Sequence, residues 1–362
     1  MNYETFKDEL VEEVKAALYE RDIAAEISTT VVEKMNQTYD SLAVTPEGSN
    51  IGMNMNMQIF YDSYERGVEF EEIVERVTDE IEKHLPTMPM VDVEQLTNYE
   101  KMKERISMEV VGYERNAEML SKVPHERMED MAVIYRFELN LENESRSTIL
   151  ITHSLLEKMG VTYEQLREDA VKNAPELRPA VIKGMSEVIL EMMGEEAIEE
   201  YGVEPFISEE MMYVASVLDK TAGAGVLAYE TFFNQAAERL GGDFFILPSS
   251  IHELLLVPDD GTKSFHELQA MVKEVNATQV SPEERLTDSV YHYDCKNHVF
   301  ELAEKFELRK HEKTTETIEN KEKPKEKESI LVDLNKKKEE IARNHAKNAV
   351  EKKDKVKGGE AL

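Results

Sequence analysis

A single cysteine, Cys295, occurs among the 362 residues. That excludes a disulfide framework and any multi-cysteine zinc site. No stretch approaches the roughly 18–20 consecutive apolar residues of a membrane-spanning helix. The acidic start, Met1 to Leu10, lacks the apolar run of a signal peptide. Basic side chains are few beside acidic ones, 43 Lys/Arg against 75 Asp/Glu, for a formal charge of −32. The apolar share of 41% lies below the globular norm of about 45–50% and points to a portion that builds no core. What remains is ample: 41.6 kDa suffices for two compact domains, or for one large domain with appendages. The expectation is a soluble, cytoplasmic protein without membrane contact.

The charge is unevenly spread. Residues 309–362 hold 16 Lys/Arg and 12 Asp/Glu, whereas residues 1–308 hold 27 and 63. The body therefore repels a phosphate backbone, so nucleic acid is an unlikely partner for it, and only the tail is mildly attractive to one. Glu322 to Glu328 contain no apolar residue, so that stretch cannot offset its ordering entropy and is expected to be disordered. Leu331, Leu334, Ile341 and Ala342 permit a short helix over 330–350.

Periodicity organises the body. Phe6, Leu10, Val14, Ala17 and Leu18 share one helical face over residues 3–20. Residues 22–35 and 38–44 suggest a strand pair. Ile51, Met53, Met55, Met57 and Ile59 alternate with polar residues and predict one nine-residue strand with a methionine row facing a core. Helices are expected over 60–67 and 70–85, and Pro86 and Pro89 set a first boundary near residue 90. Beyond it, strands are expected near 104–112, 131–139 and 148–152, and helices near 114–122, 153–159, 162–174 and 185–200. Thr162 and Gln165 form a capping-box signature. Residues 211–217, 225–228, 243–247 and 253–257 read as strands, and 230–240 and 264–275 as helices. The alternation predicts an α+β fold, with mixed or antiparallel sheets and helices packed on one face, followed by a disordered charged tail. The blocks are 1–90, 91–300 and 301–362.

Complete catalytic patterns are missing. Ser249, Ser250, His252 and Glu253 bring hydroxyl, imidazole and carboxylate within five residues. On an extended chain, however, Ser250 and His252 share one face while Glu253 points away, and no Gly-x-Ser-x-Gly elbow exists. Four His-Glu pairs, at His125, His252, His266 and His311, lack the second histidine four residues on that a zincin helix requires. Lys220-Thr221 precedes its glycines rather than following them, against the order of a Walker loop. Asn276 to Gln279, with Asp288 and Tyr291 to Asp294, are expected as solvated connection, with a groove lining as the alternative. Cys295, beside Asp294, is no activated nucleophile. Neither a metal nor a cofactor is expected.

Two segments carry a resemblance. Asp243 to Glu253, followed by Val275 to Glu284, resembles an uncharacterised family of gut Firmicutes. Val123-Pro124-His125-Glu126-Arg127, running into Met131 to Tyr135, is similar to the same family, as is the N-terminal helix. The resemblance covers roughly residues 1–295. It implies a domain of unknown function, seen in gut Clostridia and often near mobile elements, with no established catalytic residues. It marks Pro124, His125, Arg127, Ser249, Ser250, His252, Glu253, Asn276 and Gln279 as candidates.

The reading is a non-enzymatic intracellular interaction or accessory protein with an unknown protein partner, linked to mobile DNA or defence. The alternatives are a hydrolase or transferase using His125 or His252, and an acidic DNA mimic.

Overall fold

The computed structural model describes residues 1–49, 51–85, 93–139, 147–201, 210–248 and 250–310. The boundary expected near residue 90, Ser249, and the tail from residue 311 with its expected disorder and helix all lie outside them. By contacts the chain divides into Met1–Ala303 and a second unit from Glu304, whose described residues, 304–310, are helical.

The first block is a hairpin sheet under helices. Helix α1 (Tyr3–Glu20) starts where the Asn2 side chain accepts from the Thr5 amide, and it buries Phe6, Leu10, Val14 and Leu18. Strands β1 (Ala25–Lys34) and β2 (Gln37–Pro46) pair antiparallel over their whole lengths. Their two-residue loop, Met35-Asn36, places Asn36 at φ 61°, a conformation asparagine tolerates in hairpin turns. β3 (Met53–Asn56) completes the order β1-β2-β3. The nine-residue strand expected at 51–59 is cut short: the Asn56 side chain accepts from the Gln58 amide and starts α2 (Met57–Glu65). Local capping outweighs the alternation, and Ile59 ends up exposed. α3 (Phe70–His84) contributes Ile73, Val77 and Ile81 to the same core.

Two short turns, α4 (Val93–Leu96) and α5 (Tyr99–Met102), lead to β4 (Ile106–Gly112). Then come α6 (Ala117–Leu120), β5 (His125–Met128), β6 (Met131–Glu138) and β7 (Thr148–Leu150), with β6 at the centre of the second sheet. α7 (His153–Met159) and α8 (Tyr163–Leu177) follow, capped by Thr152 and Thr162. The third sheet, of order β13-β12-β10-β11-β9-β8, is built from β8 (Ala180–Gly184), β9 (Tyr213–Val217), β10 (Phe244–Leu247), β11 (Leu254–Pro258), β12 (Tyr291–Asp294) and β13 (Val299–Leu302). Interspersed are α9 (Met185–Tyr201), α10 (Phe232–Leu240) and α11 (Phe265–Thr278). Strand pairing is antiparallel throughout the described residues, and the fold is α+β.

One core joins the two larger sheets. Met108, Val110, Val133 and Tyr135 of the second sheet meet Phe244, Ile246, Leu256 and Tyr291 of the third, with Leu166 and Ala170 of α8 and Phe232 of α10. On the other face of the third sheet, Leu268 and Val272 of α11 cover Phe245, Leu247 and Val257. Two expectations are corrected here. Residues 225–228 are no strand but part of a 3-10 turn, Gly223–Ala228. A side chain at Gly225 would meet the Met108 carbonyl oxygen at 2.2 Å, so the turn lies directly against the backbone of β4. Tyr291 to Asp294 are no solvated connection but a wholly buried strand between β10 and β13.

Candidate functional site

The linker from β10 to β11 holds the densest polar motif, and its groups are committed to holding the chain. His252 Nδ1 accepts from the Ala222 amide at 3.1 Å, which leaves the ring proton on Nε2, 3.5 Å from Glu284 Oε1. The His252 carbonyl accepts from Ser216 Oγ at 2.7 Å. Ala222 sits at φ 51°, a strained setting for a side-chain-bearing residue, and the imidazole holds it there. Ser250 Oγ accepts from the His252 amide at 3.0 Å; its partner is backbone, not the ring. Glu253 is half-buried and joins none of these bonds. No nucleophile–base pair is assembled among these groups.

Asn276, on α11, is buried. Its Nδ2 donates to the Thr287 carbonyl and to Asp288 Oδ1, each at 2.8 Å, so it clamps the return from α11 to β12. Gln279 is exposed at the helix end, where its amide closes on the Val275 carbonyl at 2.8 Å. The return segment, residues 280–288, is a meeting point. Ile251 donates to the Glu284 carbonyl at 2.8 Å, and Arg115 to the Pro282 carbonyl at 3.3 Å. Asn36, from the β1–β2 loop, donates through Nδ2 to the carbonyls of Glu283 and Arg285 at 2.7 and 2.9 Å. Beside it, the Asp130 carboxylate accepts from Thr287 Oγ1 at 2.8 Å, from Ser289 Oγ at 2.9 Å and from the Tyr291 hydroxyl. Burial, reinforced by Asp130, holds the Tyr291 phenol well above its usual pKa, so it remains a donor. A cavity of about 160 Å³ opens here between Gly112–Arg115, Asp130 and Arg285–Asp288.

His125 and Arg127 flank Tyr113. His125 Nδ1 lies 3.0 Å from the Val123 carbonyl, and the Arg127 guanidinium sits 4.4 Å from the Tyr113 ring centre. His125 belongs to β5 of the second sheet and His252 to the linker between β10 and β11 of the third, and no hydrogen bond or ring contact joins them. Glu126 binds Arg167 of α8 at 2.6 Å and lines a second cavity, of about 190 Å³, between β5, β6, α8 and the turn before α10.

Among the described residues no group of three or more His, Cys, Asp or Glu is arranged to hold a metal, and no helix is long and apolar enough to cross a membrane. The hydrogen bond to Asp243, with burial, pushes the Cys295 thiol up from its usual range. Timed iodoacetamide labelling of Cys295 at neutral pH, followed by intact mass, is therefore expected to lag behind free cysteine, and Asp243→Asn to accelerate it.

A surface of another kind borders the first sheet. β1 is its edge strand, and no strand pairs with its outer side among the described residues. The centre, Ile27-Ser28-Thr29-Thr30-Val31-Val32, is uncharged and, Ser28 apart, β-branched, with the charged residues of the strand, Glu26, Glu33 and Lys34, confined to its ends. Ser28 to Val31 are exposed. A groove of about 560 Å³ adjoins its first residues, running between Lys15, Tyr19, Ile23 and Thr45.

Sequence reading missed Asn36, Tyr113, Asn116 and Asp130. Asn36 was readable as a turn residue, but its partners lie 80 and 247 residues away, and no local pattern carries that distance.

These features define an α+β protein whose motif residues hold loops to sheets and in whose larger sheets the two cavities described measure about 160 and 190 Å³. The chain belongs to a family of unknown function, DUF5688, whose profile matches residues 3–295. No curated protein matches the chain. No solved structure matches it either.

Proposed function

We propose that the chain is a non-enzymatic accessory protein that pairs the outer edge of β1 with an extended segment of another polypeptide. The observation that carries this reading is the ten-residue edge strand itself, with its uncharged centre and an adjoining groove ready for a side chain of the incoming strand. The commitment of His252, Ser250 and Asn276 to backbone and loop contacts supports it. The first block has its own core of Phe6, Leu10, Leu42 and Val77, so it serves as the recognition unit and the larger sheets as its support.

Val31 is 61% exposed, so Val31→Lys is expected to change stability by no more than about 0.5 kcal/mol. The new charge is expected to block strand addition. A photo-crosslinking side chain in place of Thr29 is expected to capture one polypeptide in cells, and Val31→Lys to reduce the yield at least tenfold. Capture that Val31→Lys leaves unchanged overturns the proposal, as does capture no stronger than from a control position, Leu218, which is also exposed.

A further inference from the structure

The cavity beside Glu126 has a buried floor and an acidic mouth. Its floor is ring and thioether: Tyr135 and Tyr229 are 1% and 2% exposed and Met108 5%, with Met128 and Phe233 beside them. Tyr229 spends its hydroxyl on the Arg178 carbonyl at 3.0 Å. Among the described residues the Tyr135 hydroxyl meets that of Tyr163, at 3.5 Å. Burial raises the Tyr135 phenol far above its usual pKa, so the floor stays uncharged.

The mouth holds three charged side chains, Glu126, Arg167 and Glu230. Arg167 occupies both oxygens of Glu126, through Nε at 2.6 Å and Nη2 at 3.4 Å. Glu230 is exposed and forms no ion pair among the described residues, so it gives the mouth a net negative charge. The surplus of 63 acidic over 27 basic groups in residues 1–308 deepens that potential, which concentrates cations and repels anions. Aromatic faces attract the same sign of ligand. The volume, about 190 Å³, lies below the roughly 300–1,000 Å³ of drug-sized pockets, which excludes nucleotides and folded peptides.

We infer that this cavity binds a small amphiphilic organic cation, a primary ammonium on a short aliphatic or aromatic body. The ammonium faces Glu230, and the body lies between Phe233, Tyr135 and Met108. The inference is independent of strand addition at β1.

The test uses the full chain with methyl-labelled methionine, titrated with 2-phenylethylammonium and with 2-phenylethanol, its neutral counterpart. Saturable shifts of the Met108 and Met128 methyl signals are expected with the ammonium, and at least tenfold weaker binding of the alcohol. Glu230→Gln, at an exposed position, is expected to keep the thermal midpoint and to weaken the ammonium at least tenfold while leaving the alcohol unchanged. Val31→Lys is expected to leave both affinities alone, so failure at β1 and failure at this cavity are separable. Equal affinity for amine and alcohol, no saturation, or undiminished amine binding by Glu230→Gln overturns the inference.

Discussion

Arg178→Ala is expected to lower the unfolding free energy by about 3 kcal/mol, the cost of removing one partner of a buried ion pair. Arg178 follows α8, and its side chain is 10% exposed. Its Nη1 lies 3.3 Å from Glu138 Oε1, and Glu138 is 4% exposed. Its Nη2 reaches Asp219 Oδ1 and the Thr221 carbonyl, both at 2.6 Å. One guanidinium therefore joins the end of β6 to the loop after β9 and supplies a cation 3.3 Å from the Glu138 carboxylate. Arg178→Lys is expected to recover only part of the loss, because a lone ammonium cannot span three acceptors in a planar fork. Urea unfolding followed by circular dichroism measures both. A loss below about 1 kcal/mol would mean that the Arg178 contacts are worth no more than a surface ion pair.

Gly225→Ala is the second large effect. The added methyl would lie 2.2 Å from the Met108 carbonyl oxygen, 3.2 Å from its carbon and 3.4 Å from the Glu109 Cα. All three are backbone atoms in a paired strand, so no side chain can swing aside. The 3-10 turn must lift from β4 and drag Val226 and Leu227 out of the core. A destabilisation of about 3 kcal/mol or more is expected, at or beyond the upper end for overpacking. Faster amide exchange along β4 should accompany it. Gly242→Ala is the control: nothing lies within 4 Å of its added methyl, and a change within about 0.5 kcal/mol is expected. Equal stability of the two variants would contradict the close packing of turn against strand.

Local physics was readable where it decided the outcome. The periodic faces of α1 and α3 and the short apolar runs of β4, β6 and β10 announced themselves, because a buried stripe leaves its period in the chain. The reading failed where a neighbour decided. Gly225 to Ala228 have the composition of a strand, but the backbone of β4 occupies the place a strand would need. Tyr291-His292-Tyr293-Asp294 looked hydrophilic, yet His292 Nε2 reaches Asp259 Oδ2 at 3.1 Å and the Tyr293 hydroxyl lies 3.0 Å from His298 Nδ1. Once such groups are paired, a polar sequence can sit inside a sheet. The capping box read at Thr162 forms its hydroxyl half, with the Gln165 amide. A complete box stands at Ser264 and Glu267. The motif residues stand out in the sequence as polar and unusual, but sequence alone does not distinguish a histidine that pins a strained turn from one that moves protons.

The hairpin loop at Asn36 has a kinetic consequence. Its bonds to Asn116, Glu283 and Arg285 close loops of 80, 247 and 249 residues, so they cannot form until β4 and the return from α11 already stand in place. Closing so long a loop is entropically costly and slow. The β1–β2 ribbon can zip early, since its strands are joined by two residues, and then wait with its tip undocked. Refolding should accordingly show two clocks, a fast one for the ribbon and a late one for the seating of Asn36, and Asn116→Ala, which removes the docking partner but leaves the turn residue in place, should alter only the second.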